Sequence, residues 1–146
     1  MNIAVFGLGR FGSNLATTLS ELGHEVLAVD EDERAVQRIA DRVAHAVQAD
    51  GTDEASLKEL GVAEYDLAFV AFGDIEGSIL MTTLLKQMDL KRVHAKARNA
   101  LHREILERVG ADQVVFPERE MAIRVAHNLA APNVVDYFEL LADYGI

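Results

Sequence analysis

No cysteine occurs anywhere in the 146 residues, so disulfides, thiolate metal sites and a cysteine nucleophile are all excluded. Long apolar runs are missing too. No stretch approaches the roughly 18–20 residues that a membrane span requires, and the longest candidate, near residues 79–85, is interrupted by Thr82 and Thr83. The N-terminus opens directly into a strand-like run, without the basic-then-apolar pattern of a secretory signal. Positive charge is scarce: 14 Lys and Arg stand against 24 Asp and Glu, for a net charge of −10. Nucleic-acid backbones are held by clustered cations that displace counterions, so no nucleic-acid partner is expected. An acidic chain can still hold one nucleotide through a local positive site. These absences lead to the expectation of a cytoplasmic chain with no direct membrane insertion.

What is present suits one α/β domain. Half the residues are hydrophobic, and a domain of this size buries roughly two-thirds of the surface its unfolded chain exposes. Short β-branched runs alternate with helical patterns, which predicts a Rossmann-like, doubly wound parallel sheet of about six strands. Strands are expected at residues 2–6, 26–30, 45–50, 67–72, 93–97 and 113–116. Helices are expected at 10–22, 32–43, after Thr52 as N-cap, and at 75–88, 101–109 and 118–131. Gly23, Gly61 and Gly110 stand where helix C-terminal caps are wanted.

The last helix is stopped by Pro132, and its apolar residues Met121, Ala122, Ile123, Val125, Ala126 and Leu129 spread around more than one face. A helix on a monomer surface shows a narrower stripe. Val134, Val135, Tyr137, Phe138, Leu140 and Leu141 follow without an obvious place on the sheet. A partner surface is expected here, with folding back onto the domain as the alternative. The organisation expected is a lobe over residues 1–131 and a crossover tail over 132–146.

Gly7-Leu8-Gly9-Arg10-Phe11-Gly12 fits the G-x-G-x-x-G pattern. Its context gives it weight: a strand precedes it, a helix follows, and an acid ends the next strand. The first glycine permits a tight turn, the second lets backbone approach a phosphate, and the third lets helix lie close to strand. Unpaired amides and the helix dipole then face the anion. Asp30 lies 18 residues after Gly12, near the spacing of about 20 for a ribose-binding acid. Glu31, Asp32 and Glu33 follow, so a 2′-phosphate would meet an acidic shell. Arg10, at a helix N-terminus, is electrostatically misplaced by up to about 1 kcal/mol unless an anion stands nearby. A bound phosphate would supply one.

Three further segments end strands on the same edge. Asp50-Gly51-Thr52 places an acceptor where a base would lie, or simply forms a capping turn. Ala71-Phe72-Gly73-Asp74 ends the fourth strand at the topological switch point. Lys96 and Arg98 end the fifth, within reach of a terminal phosphate or merely exposed. Glu118 caps its helix or joins a divalent cation, and spacing favours the cap. The histidines His24, His45, His94, His102 and His127 are scattered, without metal-ligand spacing or an evident carboxylate partner. A binding module is therefore expected rather than an enzyme, with the cofactor half of an NAD-dependent oxidoreductase as the alternative.

Ile3-Ala4-Val5-Phe6-Gly7-Leu8-Gly9-Arg10-Phe11-Gly12, followed by Gly23-His24-Glu25-Val26-Leu27-Ala28-Val29-Asp30, resembles the RCK/KTN (TrkA-N) family. The likeness continues through Thr82-Thr83-Leu84-Leu85-Lys86, Ala95-Lys96-Ala97-Arg98-Asn99, Gly110-Ala111-Asp112, Pro117-Glu118-Arg119-Glu120-Met121 and Asn133-Val134-Val135-Asp136-Tyr137. Within that family it is most similar to regulatory subunits of Ktr-type potassium uptake systems. The resemblance implies a cytosolic lobe that dimerises through its last helix and assembles as a tetramer of dimers, an octameric ring. That ring would sit at the inner face of the membrane beneath a potassium-translocating subunit. The implied ligands are ATP and ADP, or alternatively NAD and NADH, whose exchange reshapes the ring. Carried over by position, Arg10 contacts phosphates, Asp30 the ribose, and Lys96 the terminal phosphate. Glu118 matches an acid implicated in binding a divalent cation, Mg or Ca, between subunits. Family members carry a second C-terminal lobe, which is not expected in this chain.

Overall fold

The computed structural model describes residues 1–131. The chain divides into two compact units, Met1–Val115 and a second that begins at Phe116. In the first unit the strands are β1 (Asn2–Phe6), β2 (Glu25–Asp30), β3 (His45–Gln48), β4 (Leu67–Val70), β5 (Val93–Lys96) and β6 (Gln113–Val115). They form one parallel sheet in the order β3-β2-β1-β4-β5-β6. The direction of winding reverses between β1 and β4. The helices are α1 (Arg10–Glu21), α2 (Glu33–Ile39), α3 (Glu54–Glu59), α4 (Ile75–Gln87) and α5 (Ala100–Arg108).

Successive strand side chains point to opposite faces, so continuous apolar strands build two cores. Ile3, Val5, Val26, Ala28 and Phe69 pack on one face with Ala16, Val36 and Ile39. Ala4, Phe6, Leu27, Val29 and Val70 pack on the other with Leu57, Met81, Leu85 and Leu106. Each fully buried large apolar side chain contributes about 1.5–3 kcal/mol. The helix α4 carries buried hydroxyls into this second core without leaving them unpaired. Ser78 Oγ donates to the Ile75 carbonyl at 2.9 Å and Thr82 Oγ1 to the Ser78 carbonyl at 2.8 Å.

Several boundaries differ from the expected ones for local reasons. The helix after β2 ends at Ile39, its last buried residue, and a 3-10 turn over Ala40–Arg42 replaces the expected continuation to Val43. Asp53, not Thr52, caps α3: Asp53 Oδ2 accepts from Ser56 N and Oγ at 3.3 and 2.8 Å. Thr52 is drawn away because its amide and hydroxyl both donate to Asp50 Oδ1, at 2.8 and 2.6 Å. Strand pairing stops at Gln48 and Val70, so residues 49–50 and 71–72 become loop at the carboxyl edge. Gly23, Gly61 and Gly110 adopt positive φ, as caps require.

The second unit opens with α6 (Pro117–Ala130). Pro117 takes the first helical position, where its missing N–H costs nothing. Glu118 and Glu120 occupy the first turn, the favourable end of the helix dipole for acids. The cap position is Phe116, without a side-chain hydrogen bond, so Glu118 is not the cap that its spacing suggested. None of the helix's residues is buried. The expected crossover tail, residues 132–146, lies outside the described residues.

Close approach at the first glycine loop gives a stability test. A Cβ on Gly12 would overlap the Gly7 carbonyl oxygen, whereas one on Gly9 meets nothing within 4 Å. Gly12→Ala is expected to lower unfolding free energy by about 1–3 kcal/mol. Gly9→Ala stays within about 0.5 kcal/mol of the parent. Urea denaturation midpoints check both.

Candidate functional site

The carboxyl edge of the sheet is assembled around the turn from β1 into α1. Gly7 takes a φ of +96°, which only glycine adopts readily, and its amide donates to the Val29 carbonyl at 2.9 Å. The next amide, Leu8 N–H, donates to Asp30 Oδ2 at 2.7 Å. Asp30 Oδ1 accepts the Asp32 amide at 2.8 Å. One carboxylate therefore braces the glycine loop against the end of β2, and each oxygen keeps a lone pair for a further donor. Helix α1 starts at Arg10 with Gly9 as cap, no side-chain cap bond and no acid in its first turn. The first amides of a helix have no intrahelical acceptor, so this end is set up for an anion. Arg10 is exposed, and none of the ion pairs among the described residues includes it.

Beside this turn lies a crevice of about 240 Å³ lined by Phe6, Gly7, Val29, Asp30, Glu31, Ala49, Asp50, Gly51, Thr52, Phe72, Asp74 and Met81. Its floor is apolar and its rim is polar. Two glycines keep it open and closely packed. A Cβ on Gly51 would overlap Met81 Cε, and one on Gly7 would stand 2.5 Å from the Phe72 amide nitrogen. Of the residues singled out from sequence, Gly7, Asp30, Glu31, Asp50, Gly51, Thr52 and Phe72 meet here.

The others are placed around it. Gly9 and Arg10 open α1 and Gly12 packs against the Gly7 carbonyl. Ala71 is buried beneath Gly12. The two cations expected at the end of β5 diverge: Lys96, its last residue, has Nζ 5.4 Å from the Phe11 ring centre, a cation–π distance, while Arg98, in the loop beyond, donates from Nη1 to the Gly73 carbonyl at 3.0 Å. Glu118 belongs to the second unit.

Sequence reasoning passed over Phe6, Val29, Ala49 and Met81 as lining residues, and named Asp74 only as the end of the segment that follows β4. A signal existed for two of them. Asp74 caps α4 by accepting the Gly77 amide at 3.3 Å. Met81 lies seven residues on, two helical turns away on the same face.

The rim is acidic. The neighbouring Asp50, by hydrogen bonding and then by charge, pushes the Glu31 carboxyl above its ordinary value. The Thr52 hydroxyl and amide hold Asp50 below its own. A ligand that brings hydroxyl or amino donors fits this rim, and one that brings a phosphate to Glu31 does not. Among the described residues, no group of three or more His, Asp or Glu is placed to hold a metal ion. No described helix is long and apolar enough to cross a membrane.

Titration followed by carboxyl 13C NMR tests this pairing. Asp50→Asn is expected to return Glu31 toward the ordinary range. Thr52→Val removes the hydroxyl donor, so Asp50 titrates at higher pH than in the parent.

Comparison with known proteins agrees with the architecture. The TrkA-N domain matches residues 3–117. Ktr system potassium uptake protein C of Bacillus subtilis is 46% identical over 144 residues, covering 98% of this chain and 65% of its own length. Ktr system potassium uptake protein A of the same organism is 42% identical over the same shares. This chain thus spans just under two-thirds of these relatives. Among solved structures, the GsuK channel bound to NAD superimposes with a TM-score of 0.74 at 20% identity, over 82% of this chain and 22% of that one. The same channel bound to ADP gives 0.69 at 20% identity, over 78% and 30%. With its sheet order, its glycine turn and a match over most of its length, the chain belongs to the TrkA-N domain family.

Proposed function

We propose that this chain is a nucleotide-sensing lobe that regulates a membrane potassium-translocating protein and catalyses no reaction itself. The observation that carries the reading is the crevice at the β1/β4 reversal, where the Asp30 carboxylate, the apolar floor and the open end of α1 adjoin. An adenine nucleotide uses all three: the ribose hydroxyls donate to the free lone pairs of Asp30, the base lies over Phe6, Val29 and Met81, and the phosphates face α1. Arg10 then gains the anion that its position calls for. The relatives' role in potassium uptake and the NAD and ADP bound to GsuK support this assignment. ADP and NAD share an adenosine diphosphate portion, and the site needs nothing beyond it. We assign ATP and ADP as the physiological pair, because Arg10 and Lys96 suit a longer phosphate chain, and we assign Glu118 to a divalent cation held between neighbouring subunits.

Regulation follows from differential affinity. A nucleotide shifts a conformational equilibrium only as far as it binds the two states unequally. In the proposed assembly, self-association through α6 and the segment beyond it links lobes in pairs, and the pairs in an octameric ring. Nucleotide exchange changes the angle between lobes and is read by the membrane partner.

Calorimetry with ATP, ADP and NADH tests the ligand. Binding by at least one is expected, and no heat from any of them at millimolar concentration would overturn the reading. Asp30→Ala is expected to weaken binding about tenfold or more, since hydrogen bonds to a charged group contribute about 1.5–3 kcal/mol and each 1.4 kcal/mol is a decade. Undiminished affinity in that variant removes Asp30 from the ribose site.

A further inference from the structure

A buried imidazole joins the start of α5 to the start of α4. His102 is 1% exposed and Ser78 0%, so neither meets solvent. The Arg98 backbone N–H donates to His102 Nδ1 at 3.0 Å, which means that Nδ1 carries no proton. The ring hydrogen therefore sits on Nε2 and is given to Ser78 Oγ across 2.6 Å. Ser78 passes its own hydrogen to the Ile75 carbonyl at 2.9 Å. The helix cap sets the ring's position, because Asn99 Oδ1 accepts the His102 amide at 2.8 Å.

Arg98 closes the loop from the other side, its guanidinium donating to the Gly73 carbonyl at 3.0 Å. The β5–α5 connection is thus tied to the β4–α4 connection at two points, through its backbone by way of His102 and through its side chain directly. Gly73 lies between Phe72 and Asp74, and both of those line the crevice. Neither Arg98 nor His102 does. Burial, and secondarily the charge of Arg98, hold the imidazole below its ordinary pKa and so keep it neutral. Protonation would put a second N–H against the Arg98 amide.

We infer that His102 is a positioning residue for the nucleotide site: by tying Ser78 to Arg98 it holds the Phe72-Gly73-Asp74 wall in the place that admits the ligand. The inference rests on the nucleotide-binding reading above for its affinity readout, and on local geometry alone for a second readout.

ADP is the probe, titrated by calorimetry into the full chain and into Arg98→Ala, Ser78→Ala and the double variant. Arg98 is exposed, so its replacement leaves the core intact. Each single change is expected to weaken ADP about three- to tenfold, the loss of one hydrogen bond felt indirectly through the crevice wall. The double change should weaken it by clearly more than the product, since each single change leaves the other of the two ties in place. His102→Gln, which keeps one acceptor and one donor, retains more affinity than His102→Phe at equal thermal stability. Independent multiplicative losses, or unchanged affinity, overturn the inference. Without ligand, imidazole 15N shifts should report the Nε2–H tautomer, and hydrogen exchange at residues 73–78 should quicken in Arg98→Ala and His102→Phe while β2 stays protected. If the parent chain binds none of ADP, ATP and NADH but these two ligand-free results appear, the nucleotide reading fails while the tie stands. If exchange at 73–78 is unchanged, the tie itself is refuted.

Discussion

The Leu8 amide donating to one oxygen of Asp30 joins the glycine turn to the neighbouring strand, and the geometry of the carboxyl edge depends on that bond. It acts together with the Gly7 amide's bond to the Val29 carbonyl and the burial of Leu8. With these contacts, the turn is held at the height of β2 and α1 starts where the turn delivers it. The brace also limits chemistry. A carboxylate that already accepts two backbone amides is oriented before any ligand arrives. It offers acceptors in fixed directions, which suits a vicinal diol better than a proton-transfer role.

Much of this was legible in the sequence, and what was not has physical reasons. The alternation of strands and helices, the glycine turn and Asp30 could be read because each expresses a local rule. The cap of α3 was misread for an equally local cause: Asp50 captured the hydroxyl of Thr52, leaving Asp53 to cap. Periodicity does not record which of two adjacent polar residues wins a competition for the same donor. The connection between Ser78 and His102 spans 24 residues and depends on two helices lying side by side. No spacing rule marks it, so His102 read only as one of several scattered histidines. Lys96 and Arg98 show the same limit: β5 ends at Lys96, so Arg98 lies in the loop beyond it, where strand alternation no longer sets the direction of a side chain. Met81 and Asp74 were within reach, because helical spacing already placed them on one face.

The charge of the chain bears on the site through position more than through total. A net charge of −10 disfavours an anionic ligand at long range, but at physiological salt the Debye length is only about 8 Å. At contact, the unpaired amides of α1 and the exposed Arg10 dominate the field where phosphates would lie. The carboxylates Glu31, Asp50 and Asp74 stand on the rim, where hydroxyl and amino groups would lie. In the proposed complex, positive and negative functions would be divided between the two ends of one elongated ligand.

Met81 gives this division a mechanical counterpart. Its methyl end occupies the space that the missing Cβ of Gly51 leaves free, and it lies fully buried against Phe6 and Leu85 in the core. A thioether turns about its bonds at little energetic expense and is highly polarizable. The braced turn above it is stiff by comparison. The crevice therefore combines a braced ceiling with a thioether base, the one side chain of its floor whose shape is set by soft torsions rather than by a ring or a branch point.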